Sequence, residues 1–380
     1  MGWTTDIAVV GGGAYGLSIA HALRQRRPDL FVTLLDLGDF ASGETGRCGA
    51  GIRVQWGATG NILLSLRSLE IFERFAELYD YPDGIEFKQT GYVMLAYTES
   101  QLELFKTNLV IQARYGIFPD IITQQEVTRL APSLNVAGVL GAVFFDRDAS
   151  LSPFRVLDGY ARAAKRLGAD LRWGVEVLDL AREGDGFALA TSAGSLAAGR
   201  VILANDTRIP QLLAPLALDL PVKPLPNQAF VTEPLAPLLD PCVMSFGHEM
   251  FVNQTVRGSF VVVCSDKGRS FGFDSKPRAD LFPRSAERAI SLVPALAGAR
   301  FLRSWGGLYS VTPDMQPVLG ATAVPGLFVA LSSAKGFMTS PAAGRIIAEL
   351  VDGLSPPDWV AALGPDRFDG RPLEKEPAVV

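Results

Sequence analysis

The chain has 380 residues, a formal net charge of −5, and 48% hydrophobic against 20% charged residues, enough for two domains with substantial cores. The acidic balance leaves no basic stripe to neutralise phosphates, which argues against a nucleic-acid partner, and no apolar run reaches the roughly 20 residues of a membrane-spanning helix. Three cysteines (Cys48, Cys242, Cys264) and two histidines (His21, His248) point away from a disulfide framework, a metal centre or a Ser-His-Asp triad; without a signal-type N-terminus, a cytoplasmic location is expected.

The apolar run Ile7-Ala8-Val9-Val10 predicts a strand that leads into Gly11-Gly12-Gly13-Ala14-Tyr15-Gly16. Leu17, Ile19, Ala20 and Leu23 follow at helical spacing, and a second apolar run from Phe31 to Leu35 ends in Asp36. Strand, glycine turn, helix, strand and acid together hold an adenine dinucleotide. Gly11 permits the tight turn, and Gly13 lets the backbone approach a pyrophosphate. Gly16 lets helix and strand pack closely, and the helix N-terminus, Ala14 and Tyr15 included, faces the phosphate charge. The Asp36 carboxylate can accept hydrogen bonds from ribose hydroxyls and would repel a 2′-phosphate. The motif leaves NAD and FAD both open.

Residues 41–53 (Ala-Ser-Gly-Glu-Thr-Gly-Arg-Cys-Gly-Ala-Gly-Ile-Arg) are too glycine-rich for a regular strand. They suit a backbone laid against a flat ligand, with Arg47 and Arg53 supplying charge. A helix is expected over 61–79, where Ile62, Leu66, Leu69, Phe72 and Phe75 repeat at helical spacing. A strand over 90–96, an amphipathic helix over 99–115, a short helix over 127–131 and a strand over 141–145 follow. Ser152-Pro153 starts another helix. Strands at 170–173 and 175–180, a hairpin of 187–191 with 195–197, and a separate strand 200–204 come next. Residues 221–303 are strand-rich and punctuated by proline, which suggests an antiparallel sheet. The last unit is a buried strand over 326–331, a Ser-Ser-Ala-Lys-Gly-Phe-Met turn, and a helix over 341–351 with Pro341 at its first position. After Leu363 the chain is polar and reads as frayed.

The fold class is α/β with an α+β second domain. A doubly wound, Rossmann-like dinucleotide domain (1–85, 146–218 and 305–365) is interrupted twice by a mostly antiparallel-sheet substrate domain (86–145 and 219–304), with 366–380 as a tail.

Four motifs taken together resemble the D-amino-acid-oxidase superfamily of FAD enzymes, over nearly the whole chain. They are the Gly11–Gly16 fingerprint, Ser42-Gly43-Glu44-Thr45-Gly46-Arg47, Gly307-Leu308-Tyr309 with Thr312-Pro313-Asp314, and Lys335-Gly336-Phe337-Met338 before a helix. The piece from Thr45 to Trp56 is most similar to the β-subunits of heteromeric sarcosine oxidase, proline dehydrogenase and opine oxidase. The resemblance implies a glutathione-reductase-type FAD fold, with non-covalent FAD extended from Gly11 toward the last helix. Ser42, Thr45, Gly46, Arg47, Gly49, Ala50, Gly51 and Ile52 would pass along the flavin ring. Val177, Gly307 and Leu308 would add contacts, and Lys335, Gly336, Phe337 and Met338 would sit at its pyrimidine edge. The positive end of the helix dipole would favour negative charge there. Three stretches depart from the family pattern: Asn205-Asp206-Thr207-Arg208 replaces an Ala-Gly-x-Trp segment, Lys335 stands where relatives often have His, and Met338 replaces a carboxylate-binding lysine.

The activity implied is oxidation of an amino acid or N-substituted amino acid (sarcosine, proline or an opine) by hydride transfer to flavin N5. Arg53 would clamp the substrate carboxylate, Tyr309 would wall the flavin face, and Lys335 would add charge. The β-subunit likeness implies partner subunits for electron transfer, with a second flavin (FMN) at a subunit interface or an iron–sulfur centre. A self-sufficient peroxide-forming oxidase of the glycine oxidase type, an NAD-dependent dehydrogenase and a non-catalytic FAD-binding subunit are the competing readings.

Overall fold

The computed structural model describes residues 2–265 and 268–377. Two eight-stranded sheets and a two-stranded one, Gly51–Ile52 with Ala149–Ser150, hold the strands among the described residues. In the first, Leu327–Leu331, Gly194–Leu203, Trp3–Val10, Val32–Leu35 and Asp170–Arg172 run parallel side by side. Val318–Ala321 joins one edge antiparallel. The second half of the Trp3–Val10 strand, Ile7 to Val10, and the whole of Val32–Leu35 are buried, as expected for parallel strands covered on both faces. Helices Ala14–Arg26, Thr59–Glu73, Pro153–Arg166 and Gly336–Val351 pack on one side in a common apolar core with Leu17, Leu23, Phe72, Tyr160 and Ile347. On the opposite face Leu180, Leu189, Leu203 and Leu213 make a separate core.

The second sheet is antiparallel except where Cys242–Ser245 runs parallel to Tyr92–Ala96. Its edge strand Phe301–Val311 pairs along nearly the whole of Lys223–Pro234. Residues 305–311, expected with the dinucleotide segments, pair within this sheet as part of one uninterrupted strand. The expected fold class is the one observed; several boundaries differ. The hairpin strand and the strand at 200–204 are one strand, Gly194–Leu203. Its first half pairs with Gly186–Thr191 and its second with Leu327–Leu331. The helix expected over 61–79 breaks at Arg74 (φ −113°, ψ 19°) into Thr59–Glu73 and Phe75–Leu78.

The closing helix starts at Gly336, not at Pro341. Proline removes the N–H that would bond to Phe337 O, but Ser340 Oγ donates to that carbonyl at 2.9 Å instead. Nor are residues 366–377 frayed. Arg367 is buried against Asp314 (2.8 and 3.1 Å), and the buried Glu376 accepts from Gly57 N and Ala58 N, just ahead of the helix that begins at Thr59.

The first and last helices touch where Gly344 meets Ser18. A β-carbon at Gly344 would come within 2.1 Å of Ser18 Oγ and 2.7 Å of its backbone carbon. Gly344→Ala should therefore destabilise the fold by about 1–3 kcal/mol through overpacking, read as a lower urea midpoint; an unchanged midpoint would show that these helices are free to separate.

Candidate active site

The carboxyl ends of the central parallel strands open into a cleft of about 620 Å³, the place where open α/β sheets take ligands. Gly11 makes this possible. It adopts φ +112°, and a β-carbon there would lie 2.5 Å from Ala204 O. Its N–H donates to Leu35 O, while Ala204 N donates to Val10 O, both at 2.8 Å. Asp36 draws the turn tight: its carboxylate accepts from Gly12 N at 2.6 Å and Gly38 N at 2.8 Å.

From this end the cleft runs past Gly13, Ala14 and Tyr15, with Val177 on the facing strand, and on along Ser42, Thr45, Arg47, Gly49, Ala50 and Gly51. Thr45 Oγ1 accepts from Ala14 N at 3.1 Å, which fastens the glycine-rich loop to the N-terminus of the first helix. Ala50 holds φ +69°. Opposite, Gly307, Leu308 and Tyr309 line the second sheet's edge, and Lys335, Gly336, Phe337 and Met338 open the closing helix. With that helix starting at Gly336, its first free N–H groups belong to the cleft-lining residues themselves.

Three expected contact residues do not line the cleft. Ile52 is wholly buried in the core. A β-carbon at Gly46 would lie 2.1 Å from Ala41 O, and one at Gly16 1.7 Å from Gly11 O. These two glycines serve close backbone packing.

The far end is walled by aromatic residues. Trp56 donates its indole N–H to Arg53 O at 2.9 Å and to Ser65 Oγ at 3.0 Å. The Arg53 guanidinium carbon lies 3.7 Å from the Trp56 ring centre and Lys335 Nζ 5.0 Å from it, so two cations rest on one π-system. Both are buried. Lys335 Nζ donates to Met315 O at 2.7 Å and Ser333 O at 3.1 Å, so it is no solvated loop lysine. Burial pulls its ammonium down to about 8, against the opposing pull of Glu376 and Asp314. Tyr309 is pushed up to about 12 by burial, and Cys48 likewise.

Asp148 organises the Arg53 loop. Its two oxygens accept from Val54 N and Gln55 Nε2, both at 2.8 Å, and burial lifts its carboxyl to about 7.

The sequence did not single out Asp148, Glu44 as a contact, or the walls Tyr92, Phe251 and Met244, because their partners are distant in sequence. Glu44 accepts from Leu308 N at 2.6 Å and is raised by burial. Asp206, within a stretch that departs from the family pattern, takes φ +51°. Its Oδ1 accepts from Ser310 Oγ, Ser332 N and Ser332 Oγ at 3.0, 3.1 and 2.9 Å, joining three strand ends. No group of three or more metal-ligating side chains exists among the described residues.

A family model described as FAD dependent oxidoreductase (DAO) matches residues 6–350. Sarcosine oxidase subunit beta of Rhodobacter capsulatus is 29% identical, covering 96% of this chain and 88% of that protein. Glycine oxidase of Geobacillus kaustophilus is 27% identical over 91% of this chain and 93% of its own. Among solved structures, L-proline dehydrogenase from P. horikoshii superposes with a TM-score of 0.89 at 30% identity, covering 97% of this chain and 99% of that one.

Replacing Asp148 by Asn would set an amide N–H₂ against one of its two donors. Asp148→Asn should cost about 1–3 kcal/mol, measured by chemical denaturation at neutral pH; no loss would mean that the Arg53 loop stands without this clamp.

Proposed function

The chain belongs to the DAO family of FAD-dependent oxidoreductases, and from that premise we propose that it oxidises an amino acid or N-substituted amino acid, a secondary amine such as sarcosine, proline or an opine. The observation that carries this reading is the pair of buried cations, Arg53 and Lys335, on the Trp56 ring at the aromatic end of the cleft. Such a pair suits a carboxylate beside an apolar amine.

The chain's own residues fit the family's cofactor. The turn at Gly11 has no room for a side chain and leaves backbone facing the cleft. Asn205 Oδ1, on a cleft-lining residue, is buried without a hydrogen-bond partner, as a wall built to receive polar ligand atoms would leave it. Gly11, Gly13 and Asp36 would hold the adenosine diphosphate portion, and Gly49–Gly51, Gly307 and 335–338 the ring. When bound, FAD supplies the two-electron acceptor for a C–H bond next to nitrogen.

Arg53 and Lys335 bind and orient the carboxylate, so the C–H bond is presented in one direction. Tyr92, Phe251 and Tyr309 exclude water from that end. Entry of the substrate nitrogen without its proton fits a cleft in which no histidine is among the described lining residues, and the imine left after hydride loss hydrolyses with water. Lys335 carries its proton below about pH 8, which sets the pH range in which both cations act.

Likeness to a protein named as a β subunit supports partner subunits; that they accept the electrons, through a second flavin, FMN, at an interface, is part of the proposal. Likeness to glycine oxidase over nearly its full length favours the second reading, a chain that turns over with oxygen alone. Oxygen consumption by the purified chain without an added acceptor separates the two.

The purified protein should be yellow and should bleach anaerobically with at least one of sarcosine, N-alkyl amino acids, proline and opines. A yellow protein that none of them bleaches would refute the reading. With the active amine, Arg53→Leu should raise KM by about 30-fold or more, the loss expected when one partner of a buried charge pair is truncated. The amine analogue lacking the carboxylate should be little affected. For the wild type, kcat/KM should rise with pH as the neutral amine becomes available and bend over near pH 8, where Lys335 loses its charge; a profile that climbs through that interval without a bend would contradict the assignment.

A further inference from the structure

Residues 374–377 lie at the surface with Glu376 alone buried, and pass between two site-bearing elements. On one side, Glu376 Oε1 and Oε2 accept from Gly57 N at 3.0 and 3.2 Å, and Oε2 also accepts from Ala58 N at 3.0 Å and Asn61 Nδ2 at 2.9 Å. These donors lie between Trp56 and the first turn of the helix Thr59–Glu73. On the other side, Glu376 N donates to Asp314 O at 2.9 Å, and Gln316 Nε2 donates to Glu374 O at 2.7 Å. The Asp314–Gln316 turn also supplies Met315 O, the acceptor of Lys335 Nζ. Pro377 then closes on Gly57, where a β-carbon would meet its ring at 2.7 Å.

Through its carboxylate on one side and its backbone N–H on the other, Glu376 thus ties the Trp56 segment to the turn that receives Lys335. We infer that Glu376 is a positioning residue of the candidate active site: its carboxylate fixes the segment that carries Trp56, and its backbone N–H holds the turn that anchors Lys335, so that a change at Glu376 is felt at Lys335. The inference rests on the flavin reading of the cleft given above.

The charged groups facing Lys335 are Glu376 and Asp314, which hold its proton, and Arg53, which repels it. Asp314 is already committed to a buried pair with Arg367 at 2.8 Å. That leaves Glu376 as the larger opposing charge, and it is the first of the three named above in its effect on the ammonium. Glu374 lies two residues away and caps the same helix through Thr59 N at 3.1 Å, but it does not act on Lys335. Caps of this kind occur widely without any tie to chemistry, so the test must read the charge and not only the fold.

The experiment is a pH titration of the visible flavin absorbance of the substrate-free holoprotein. Because Lys335 borders the proposed ring site, the wild type should show an inflection near pH 8 that Lys335→Met abolishes. In Glu376→Gln the inflection should move down by about one unit or more, the size expected on losing an opposite charge at close range. Glu374→Gln should leave it in place. If Glu376→Gln does not accumulate as folded holoprotein, Glu376→Asp, which withdraws the charge by one methylene, should move the inflection the same way by less. An inflection unmoved by either change at Glu376, or absent from the wild type, overturns the proposal. This readout needs no substrate, so a failure here is distinct from a failure to bleach with amines.

Discussion

Three parallel strands can end side by side at Val10, Leu35 and Ala204 only because Gly11 carries no side chain, since a β-carbon there would press into the Ala204 carbonyl. That close approach places the end of each strand along one groove. The Asp36 carboxylate, held by Gly12 and Gly38, fixes the turn in the same geometry. The order of the central sheet then brings the glycine-rich loop on one side and the Asn205–Arg208 turn on the other to the same opening. A flat, extended, polar-ended ligand is the shape that such an opening accepts.

At its other end the groove depends on charge rather than on space. Arg53 and Lys335 are taken out of water onto one indole ring, a costly arrangement unless negative charge lies near. Asp148, Asp314 and Glu376 supply it from three different parts of the chain, and each also fastens a backbone segment of the site. The second sheet contributes the apolar walls, Tyr92 and Phe251. Two buried cations beside aromatic rings are the basis for proposing that this end takes an anion attached to an apolar body, a carboxylated amine.

Much of this was legible in the sequence where neighbouring residues determine it. The strand, glycine turn, helix and acid of residues 7–36 announce themselves because each acts locally, and so does the glycine-rich run after Ser42. The site's walls were not legible. Glu44 reaches Leu308, and Glu376 reaches Gly57, across hundreds of residues, and no periodicity records such pairings. Residues 366–377 looked frayed because their composition is polar, yet Arg367 and Glu376 are buried by specific partners. Pro341 was misleading for the opposite reason. It is a strong local signal for a helix start, overridden because Ser340 satisfies the carbonyl that the proline leaves free.

The central claim is that one groove holds an adenosine portion at Gly11 and Asp36 and a redox-active ring at 335–338, with the substrate carboxylate between Arg53 and Lys335. A crystal structure of the holoprotein with a non-oxidisable carboxylate analogue tests it most directly. The account predicts the ribose within hydrogen-bonding reach of Asp36, the ring against Gly336–Met338, and the carboxylate on both cations. A cofactor lying elsewhere, or an analogue whose carboxylate points away from Arg53 and Lys335, would contradict it.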